Sequence, residues 1–204
     1  MNILFNFELQ TEDEMQISFF PEDKIISYDI QFHFHKKENS LLKQKKINIR
    51  KNHGDKIQYI KSQPHISLAS FEVISSRSYK IKEKLKEALN QLTAIKVYFN
   101  NYVSFDSNHL IYAKVEPESN FKPILNALAS FRKENKFASK NFRIYHDIHA
   151  TIVMPKEKSI YQLLSLEYES KSLCSNFVLD KIMIRKNTGT PKISEIEMIE
   201  LKQK

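Results

Sequence analysis

Hydrophobic and polar residues alternate without a break through residues 26–35, near the start of the chain. Successive side chains of a β-strand point to opposite faces, so this alternation predicts a half-buried strand. Its apolar face carries Tyr28, Ile30, Phe32 and Phe34, and its polar face carries Asp29, Gln31, His33 and His35. We therefore expect one face in the core and the other face in solvent or in a groove.

The remaining pattern predicts an order of elements that occurs twice. In the first half, a strand at 63–71 precedes a helix at 76–92 and strands at 94–105 and 109–115. In the second half, a helix from an N-cap at Ser119 to Phe137 leads to a strand at 147–154, a helix at 156–170, and strands at 177–185 and 193–201 joined by a turn at 187–191. Each half thus contains a strand, a helix and two more strands. This order predicts an internally duplicated α+β architecture.

The same tripeptide pattern, His-x-Ser/Thr, occurs in the strand at 63–71 and again in the strand at 147–154. His65 and Ser67 would share one strand face, as would His149 and Thr151, while the residues between and after them are apolar. With 7 His in 204 residues, about 0.15 copies with this apolar setting are expected by chance. The buried and duplicated setting, more than the tripeptide itself, indicates a functional site.

Two histidines and two hydroxyl groups suit the chemistry of phosphodiester cleavage without a metal. Histidine has an ordinary pKa of about 6.5, so it can act as a base or as an acid near neutral pH. The hydroxyl groups of Ser67 and Thr151 can donate hydrogen bonds to phosphate oxygens as charge develops on them. Our working assignment is His65 as the acid and His149 as the base for water, although the sequence leaves this direction open.

The order of elements and the two motifs, at His65, Ser67, His149 and Thr151, resemble the 2H phosphoesterase superfamily over residues 25–203. That superfamily includes bacterial 2′–5′ RNA ligase-like proteins and RNA 2′,3′-cyclic phosphodiesterases. The resemblance implies an α+β fold in which two pseudo-symmetric lobes of antiparallel sheet, with outer helices, surround a central groove. Ser67 stands where Thr is commoner in the family. The second motif lacks a Pro directly before its His, and Met154-Pro155 follow where many members continue toward a basic residue.

Residues outside the two motifs are candidates for substrate binding. Gln31 and His33 lie on the polar face of the first strand, which would face the groove, or simply solvent. Aromatic rings can stack on nucleic-acid bases and basic side chains can bind phosphate, although a core or surface role is the alternative for each of these residues. The candidates of these two kinds are Phe71, Tyr145, Arg143 and Lys156.

Composition and charge narrow the class of protein. The formal net charge of +8 is compatible with an anionic partner such as RNA or a nucleotide, and equally with a solvated lysine-rich surface. The densest basic segment, 36–51, predicts an exposed helix and loop. Only two glycines are present, which excludes a P-loop or a dinucleotide-binding loop, and we predict no cofactor and no metal site. A single Cys and the lack of a long apolar run predict a cytoplasmic protein that does not enter the membrane, and we expect a monomer.

The sequence therefore predicts one bilobal domain over residues 1–204, with residues 1–24 as an extension or an additional strand. The resemblance implies a phosphoric diester hydrolase that acts on RNA ends or small nucleotides, at a 2′,3′-cyclic phosphate or a 2′–5′ linkage. Two alternatives remain open. The protein degrades cyclic or 2′–5′ oligonucleotide signals, or it binds RNA or nucleotides without catalysis.

Overall fold

A computed structural model describes residues 23–58, 62–188 and 194–203 of the chain. The strands of this part are β1 (Ile25–His33), β2 (Ile57–Gln58), β3 (His65–Ile74), β4 (Ile95–Phe105), β5 (Leu110–Glu116), β6 (Phe142–Ile144), β7 (His149–Pro155), β8 (Cys174–Leu179), β9 (Lys181–Asn187) and β10 (Ser194–Glu200). Its α-helices are α1 (Lys36–His53), α2 (Ser75–Leu89), α3 (Lys122–Glu134) and α4 (Lys158–Glu169). The predicted extension at 1–24 falls outside the described residues except for its last two, and the predicted turn at 187–191 lies mostly outside them.

One antiparallel sheet, with strand order β10-β9-β1-β3-β7-β5-β4-β8, organises the described chain. It divides into two four-stranded lobes, β3-β1-β9-β10 and β7-β5-β4-β8, each with one motif strand at its inner edge. The lobes join where β3 pairs with β7, at Ile66 opposite Ala150. The helices contribute buried side chains such as Leu85 and Leu128 to the shared core. The predicted α+β fold with two lobes of antiparallel sheet is confirmed.

Both motif strands carry a β-bulge at the same position relative to their histidines. Against β1, the register of β3 passes from Ser67 to Ala69 and leaves Leu68 unpaired. Against β5, the register of β7 passes from Thr151 to Val153 and leaves Ile152 unpaired. A bulge adds one residue, twists the strand and reverses which side chains face the core. The two lobes therefore share a local backbone irregularity, as well as the order of their strands.

The predicted strand at 177–185 is wrong, because the chain forms two strands there. β8 pairs with β4 in the second lobe and β9 pairs with β1 in the first, so the chain passes between the lobes at Asp180. The reason is that the alternation of buried and exposed residues shifts by one position here: Leu179 and Ile182 are both fully buried although they are three residues apart. A single strand would place two such residues on opposite faces.

One smaller prediction also needs correction. Ser119 does not cap α3: it lies inside a short 3₁₀ helix, Glu118–Phe121, and α3 begins directly after it. The basic segment at 36–51 forms the helix that was predicted for it, α1, which ends before Gly54. No helix in the described part of the chain is both long and apolar enough to cross a membrane.

Candidate active site

The structure presents the two motifs in the same way. His65 begins β3 and His149 begins β7, and the motif histidines and hydroxyl residues are half-buried. The residues between and after them are fully buried: Ile66, Leu68, Ala150 and Ile152. Burial of these alternate side chains holds each strand in one register, because a slip by one residue would expose them. Core packing therefore determines the direction in which each histidine points.

Each histidine ring also makes the same hydrogen bond. Nδ1 of His65 lies 2.8 Å from the backbone oxygen of Gln63, and Nδ1 of His149 lies 2.8 Å from that of Asp147. A carbonyl oxygen only accepts, so Nδ1 of each ring carries the proton and donates it. In the neutral ring this leaves Nε2 with its lone pair, as a general base requires. Both rings are thus held in the tautomer that exposes Nε2 to proton exchange.

Burial lowers the pKa of both histidines below the usual value of 6.5, because it disfavours the charged ring. In both histidines, the hydrogen bond to the backbone oxygen raises the pKa and so offsets part of this decrease. The neighbouring charges differ. Lys46 and Arg185 lower the pKa of His65 further and Asp29 raises it, whereas Asp147 raises the pKa of His149 and no neighbouring cation among the described residues lowers it. The two rings therefore share a geometry but not an electrostatic environment.

The cation next to His65, Lys46, is buried in α1 with 4% of its surface exposed. This corrects the expectation that the basic segment is wholly exposed. The Nζ of Lys46 donates to the backbone oxygen of Ser62 at 3.0 Å and to its Oγ at 2.9 Å, and burial lowers the pKa of Lys46 to about 8. Ser62 directly precedes Gln63, whose backbone oxygen holds the His65 ring. Lys46 thus supports the segment that orients His65.

The neighbouring strands place further polar side chains beside each motif. In the first lobe, His33 pairs with His65 and Gln31 pairs with Ser67. Residues directly opposite on antiparallel strands share a face, so both predicted candidates lie beside the first motif. β3 and β7 run antiparallel and pair at Ile66 and Ala150. One residue to either side of this pair, His65 aligns with Thr151 and Ser67 aligns with His149.

The second lobe has counterparts that were not predicted. Lys114 pairs with His149 and Tyr112 pairs with Thr151, and the Tyr112 and His149 rings are 4.7 Å apart. Glu116 holds Lys114 in an ion pair. The alternation of β5 places Tyr112 and Lys114 on its polar face, so the sequence did contain the signal. Recognising it required knowing that β5 lies next to β7.

Of the four aromatic and basic candidates, Tyr145 and Arg143 lie near the first motif. The backbone nitrogen of Tyr145 donates to the oxygen of Leu68 at 2.9 Å, and its phenolic oxygen is 3.0 Å from Oγ of Ser70. The Arg143 guanidinium lies 4.9 Å from the centre of the Tyr145 ring. These contacts attach both residues to β3 just beyond Ser67.

The other two candidates are corrected. Phe71 is 2% exposed and stacks between Tyr28 and Phe142 in the core, so no face of its ring is left for a nucleic-acid base. The bulge at Leu68 causes this, since it reverses the inward face of β3 beyond the motif. Lys156 follows the far end of β7, about 20 Å from His149 at the rise of an extended strand.

The described chain has cavities on its surface. One of about 370 Å³ is lined by residues of β1, β3 and β6, including Ser70 and Arg143. A larger one, of about 650 Å³, lies at the end of α3, and none of the predicted site residues lines it. Within residues 23–58, 62–188 and 194–203, no group of three or more His, Cys, Asp or Glu could hold a metal ion.

Comparisons with known proteins agree with the fold described above. The model of the family described as the 2′-5′ RNA ligase superfamily matches residues 42–168. The fold is similar to the crystal structure of E. coli LigT in apo form, with a TM-score of 0.57 and 9% identity over 88% of this chain and 99% of that one. It is also similar to the crystal structure of TT0787 of Thermus thermophilus, with a TM-score of 0.60 and 13% identity over 85% and 95%. A search of curated proteins gives no match.

Proposed function

Because the chain belongs to the 2′-5′ RNA ligase superfamily, which confirms its resemblance to the 2H phosphoesterases, we propose that it hydrolyses phosphodiesters with its paired histidines. Its substrates would be RNA ends or small nucleotides with a 2′,3′-cyclic phosphate or a 2′–5′ linkage. One observation carries this proposal. Two His-x-Ser/Thr strands meet at the Ile66–Ala150 pair, with the same Nδ1 hydrogen bond in each.

The reaction needs one proton acceptor and one proton donor. One neutral histidine takes a proton from water at Nε2 while the water oxygen forms a bond to phosphorus. The other histidine, protonated, gives its Nε2 proton to the leaving oxygen as that phosphorus–oxygen bond breaks. From a cyclic phosphate the products are a phosphomonoester and a free hydroxyl group. The two rings exchange roles in the reverse reaction.

Ser67 and Thr151 would act on the phosphate itself. Each hydroxyl group lies two residues beyond a histidine on the same strand face, so both can donate to non-bridging phosphate oxygens. Donors fixed in advance where negative charge develops typically contribute a factor of about 10² to 10³ to the rate. Tyr112 and Lys114 add a second donor and a positive charge on the side of the second lobe.

A solved relative supports a nucleotide as the ligand: E. coli LigT has been crystallised in complex with 3′-AMP. The fold of that complex matches this chain with a TM-score of 0.54 at 9% identity. A nucleotide would bring the phosphate that the two motifs require.

The test is turnover in EDTA of 2′,3′-cyclic nucleotides, 2′–5′ oligoadenylate and cyclic dinucleotides. We expect the protein to cleave at least one of them, and His65→Ala and His149→Ala each to lower kcat by about 10² to 10⁴, the usual contribution of an acid or base. His53→Ala, at the end of α1, is the matched control and keeps full activity. Turnover that survives both motif substitutions would refute the site. Binding without turnover of any substrate would favour the non-catalytic alternative.

A further inference from the structure

The polar face of the first lobe continues beyond the motif. After Gln31 opposite Ser67, the next pair of β1 and β3 on that face is Asp29 opposite Ser70. On its other side, Ser70 pairs with Arg143 of β6. The cavity of about 370 Å³ opens here, lined by Asp29, Ser70, Arg143, Lys140 and Glu72 among others. We call this cavity the Arg143 cleft; its volume lies within the range of small-molecule binding sites.

The corresponding face of the second lobe is less polar, although Met154 pairs there with the exposed Gln58 of β2. Beyond Thr151, the bulge at Ile152 turns Met154 to the motif side of β7, where it is half-buried. The residue of β5 that continues the face of Tyr112 is Leu110, which is 7% exposed. The first lobe therefore offers more polar and charged contacts beyond its motif than the second lobe does.

Arg143 is held in place for recognition of an anion. Its guanidinium lies over the Tyr145 ring, and Tyr145 is in turn fixed by its bonds to Leu68 and Ser70. A guanidinium can bind phosphate through two hydrogen bonds, and its plane can also stack on a base. The acidic Asp29 faces another cation, Arg185, at 3.8 Å, which reduces its repulsion of a phosphate. Ser70 is three residues beyond Ser67, about 10 Å along the strand.

We propose that the Arg143 cleft binds the nucleotide next to the scissile phosphate, with Arg143 on its phosphate. The preferred substrate then carries a second phosphate next to the scissile one, as a longer RNA strand does and a mononucleotide does not. This inference rests on the proposed function for the position of the scissile phosphate. The cleft itself is lined by residues that take no part in the proton transfers.

The first experiment compares substrates of different length in the linkage that the protein cleaves. One pair is adenosine 2′,3′-cyclic phosphate and an oligoadenylate ending in the same group; the other pair is a 2′–5′ dinucleotide and a 2′–5′ trinucleotide. We expect kcat/KM to be at least about tenfold higher for the longer member. This is the contribution of one charge-assisted hydrogen bond between the substrate and the protein. Arg143→Gln removes most of this advantage by lowering kcat/KM for the longer member, whereas Arg143→Lys retains part of it. Arg77→Gln, an exposed arginine of α2, is the control for net charge.

The second experiment measures binding without turnover, in the His149→Ala background. The fluorescence anisotropy of a labelled oligoadenylate should report weaker binding when Arg143→Gln is added, and mononucleotide binding should not change. Equal kcat/KM for short and long substrates, or equal loss of both in Arg143→Gln, overturns the cleft as a subsite and leaves the proposed function standing. Absence of turnover for every substrate, with Arg143-dependent oligonucleotide binding intact, overturns the proposed function and retains the cleft.

Discussion

At the scale of single residues, the two motif histidines have the same hydrogen bond but different charged neighbours. Burial holds the pKa of each ring below 6.5. An acid–base pair works when one ring is protonated and the other neutral, so kcat/KM peaks between the two pKa values of the free enzyme. We therefore expect the optimum below pH 6.5, with activity falling at higher pH as the remaining proton is lost. A kcat/KM profile measured across this range checks the expectation.

Lys46→Met tests the electrostatic difference between the two rings. Removing the Lys46 cation removes repulsion of the protonated His65 ring, so the pKa of His65 rises toward 6.5 while that of His149 stays unchanged. An NMR titration of the histidine rings measures both values directly. One limb of the kcat/KM profile should move to higher pH with the His65 pKa.

Lys45→Met is the matched control, since Lys45 is the neighbouring residue of α1 and is only half-buried. It should leave both titrations in place. If Lys46→Met moves neither ring, or moves both equally, Lys46 does not act on His65 in particular.

The shared orientation of the four motif residues could be predicted from the sequence because alternation and apolar flanks are local signals. The position of Tyr112 and Lys114 beside the second motif could not, because it depends on which strand pairs with β7. Lys46 was missed for a different reason. Lysines are nearly always exposed, and only packing of α1 against the segment before β3 buries this one.

At the scale of elements, the bulge at Leu68 decides the role of Phe71. The sequence allowed Phe71 to contact a base, but beyond the bulge its ring packs against Tyr28 and Phe142. Phe71→Ala should therefore lower the free energy of unfolding by about 3 to 5 kcal/mol, the cost of a large buried cavity. Urea denaturation at neutral pH measures this loss.

The same variant should leave KM for a mononucleotide substrate unchanged in its folded fraction, because the Phe71 ring packs in the core, away from the two motifs. Tyr79→Ala is the matched control: Tyr79 is an aromatic residue of α2 that is 73% exposed, and its loss should change stability by no more than about 0.5 kcal/mol. A Phe71→Ala protein of normal stability and raised KM would restore Phe71 as a substrate contact.

Most strands and helices could be predicted within a few residues, because each has a regular period of buried positions. The two bulges and the break at Asp180 could not be predicted. At each of them the alternation of buried and exposed residues shifts by one position, and the pattern of a single strand does not show where this shift occurs. At Asp180 the break decides the topology, because β8 and β9 belong to different lobes. A prediction that continues one strand through Asp180 therefore joins strands of different lobes into a single strand.

At the scale of the whole molecule, the pseudo-symmetry raises the question of whether the lobes hold one site or two. Each lobe has a histidine, a hydroxyl residue and polar neighbours of its own. Neither lobe alone has both an acid and a base from the motifs, and the lobes join at the Ile66–Ala150 pair between them. The proposed chemistry would therefore use a single site divided between the lobes.

A double substitution distinguishes one site from two. In a single site, His65→Ala already prevents the paired transfer of two protons, so adding His149→Ala should lower kcat little further. We expect the double variant to be within about tenfold of the slower single variant, measured by single-turnover hydrolysis. Circular dichroism and thermal unfolding of all three variants establish that they remain folded.

Two independent sites would instead leave each single variant active through its intact lobe, and only the double variant would lose turnover. That pattern would mean that each lobe catalyses by itself, and the divided site would then have to be abandoned.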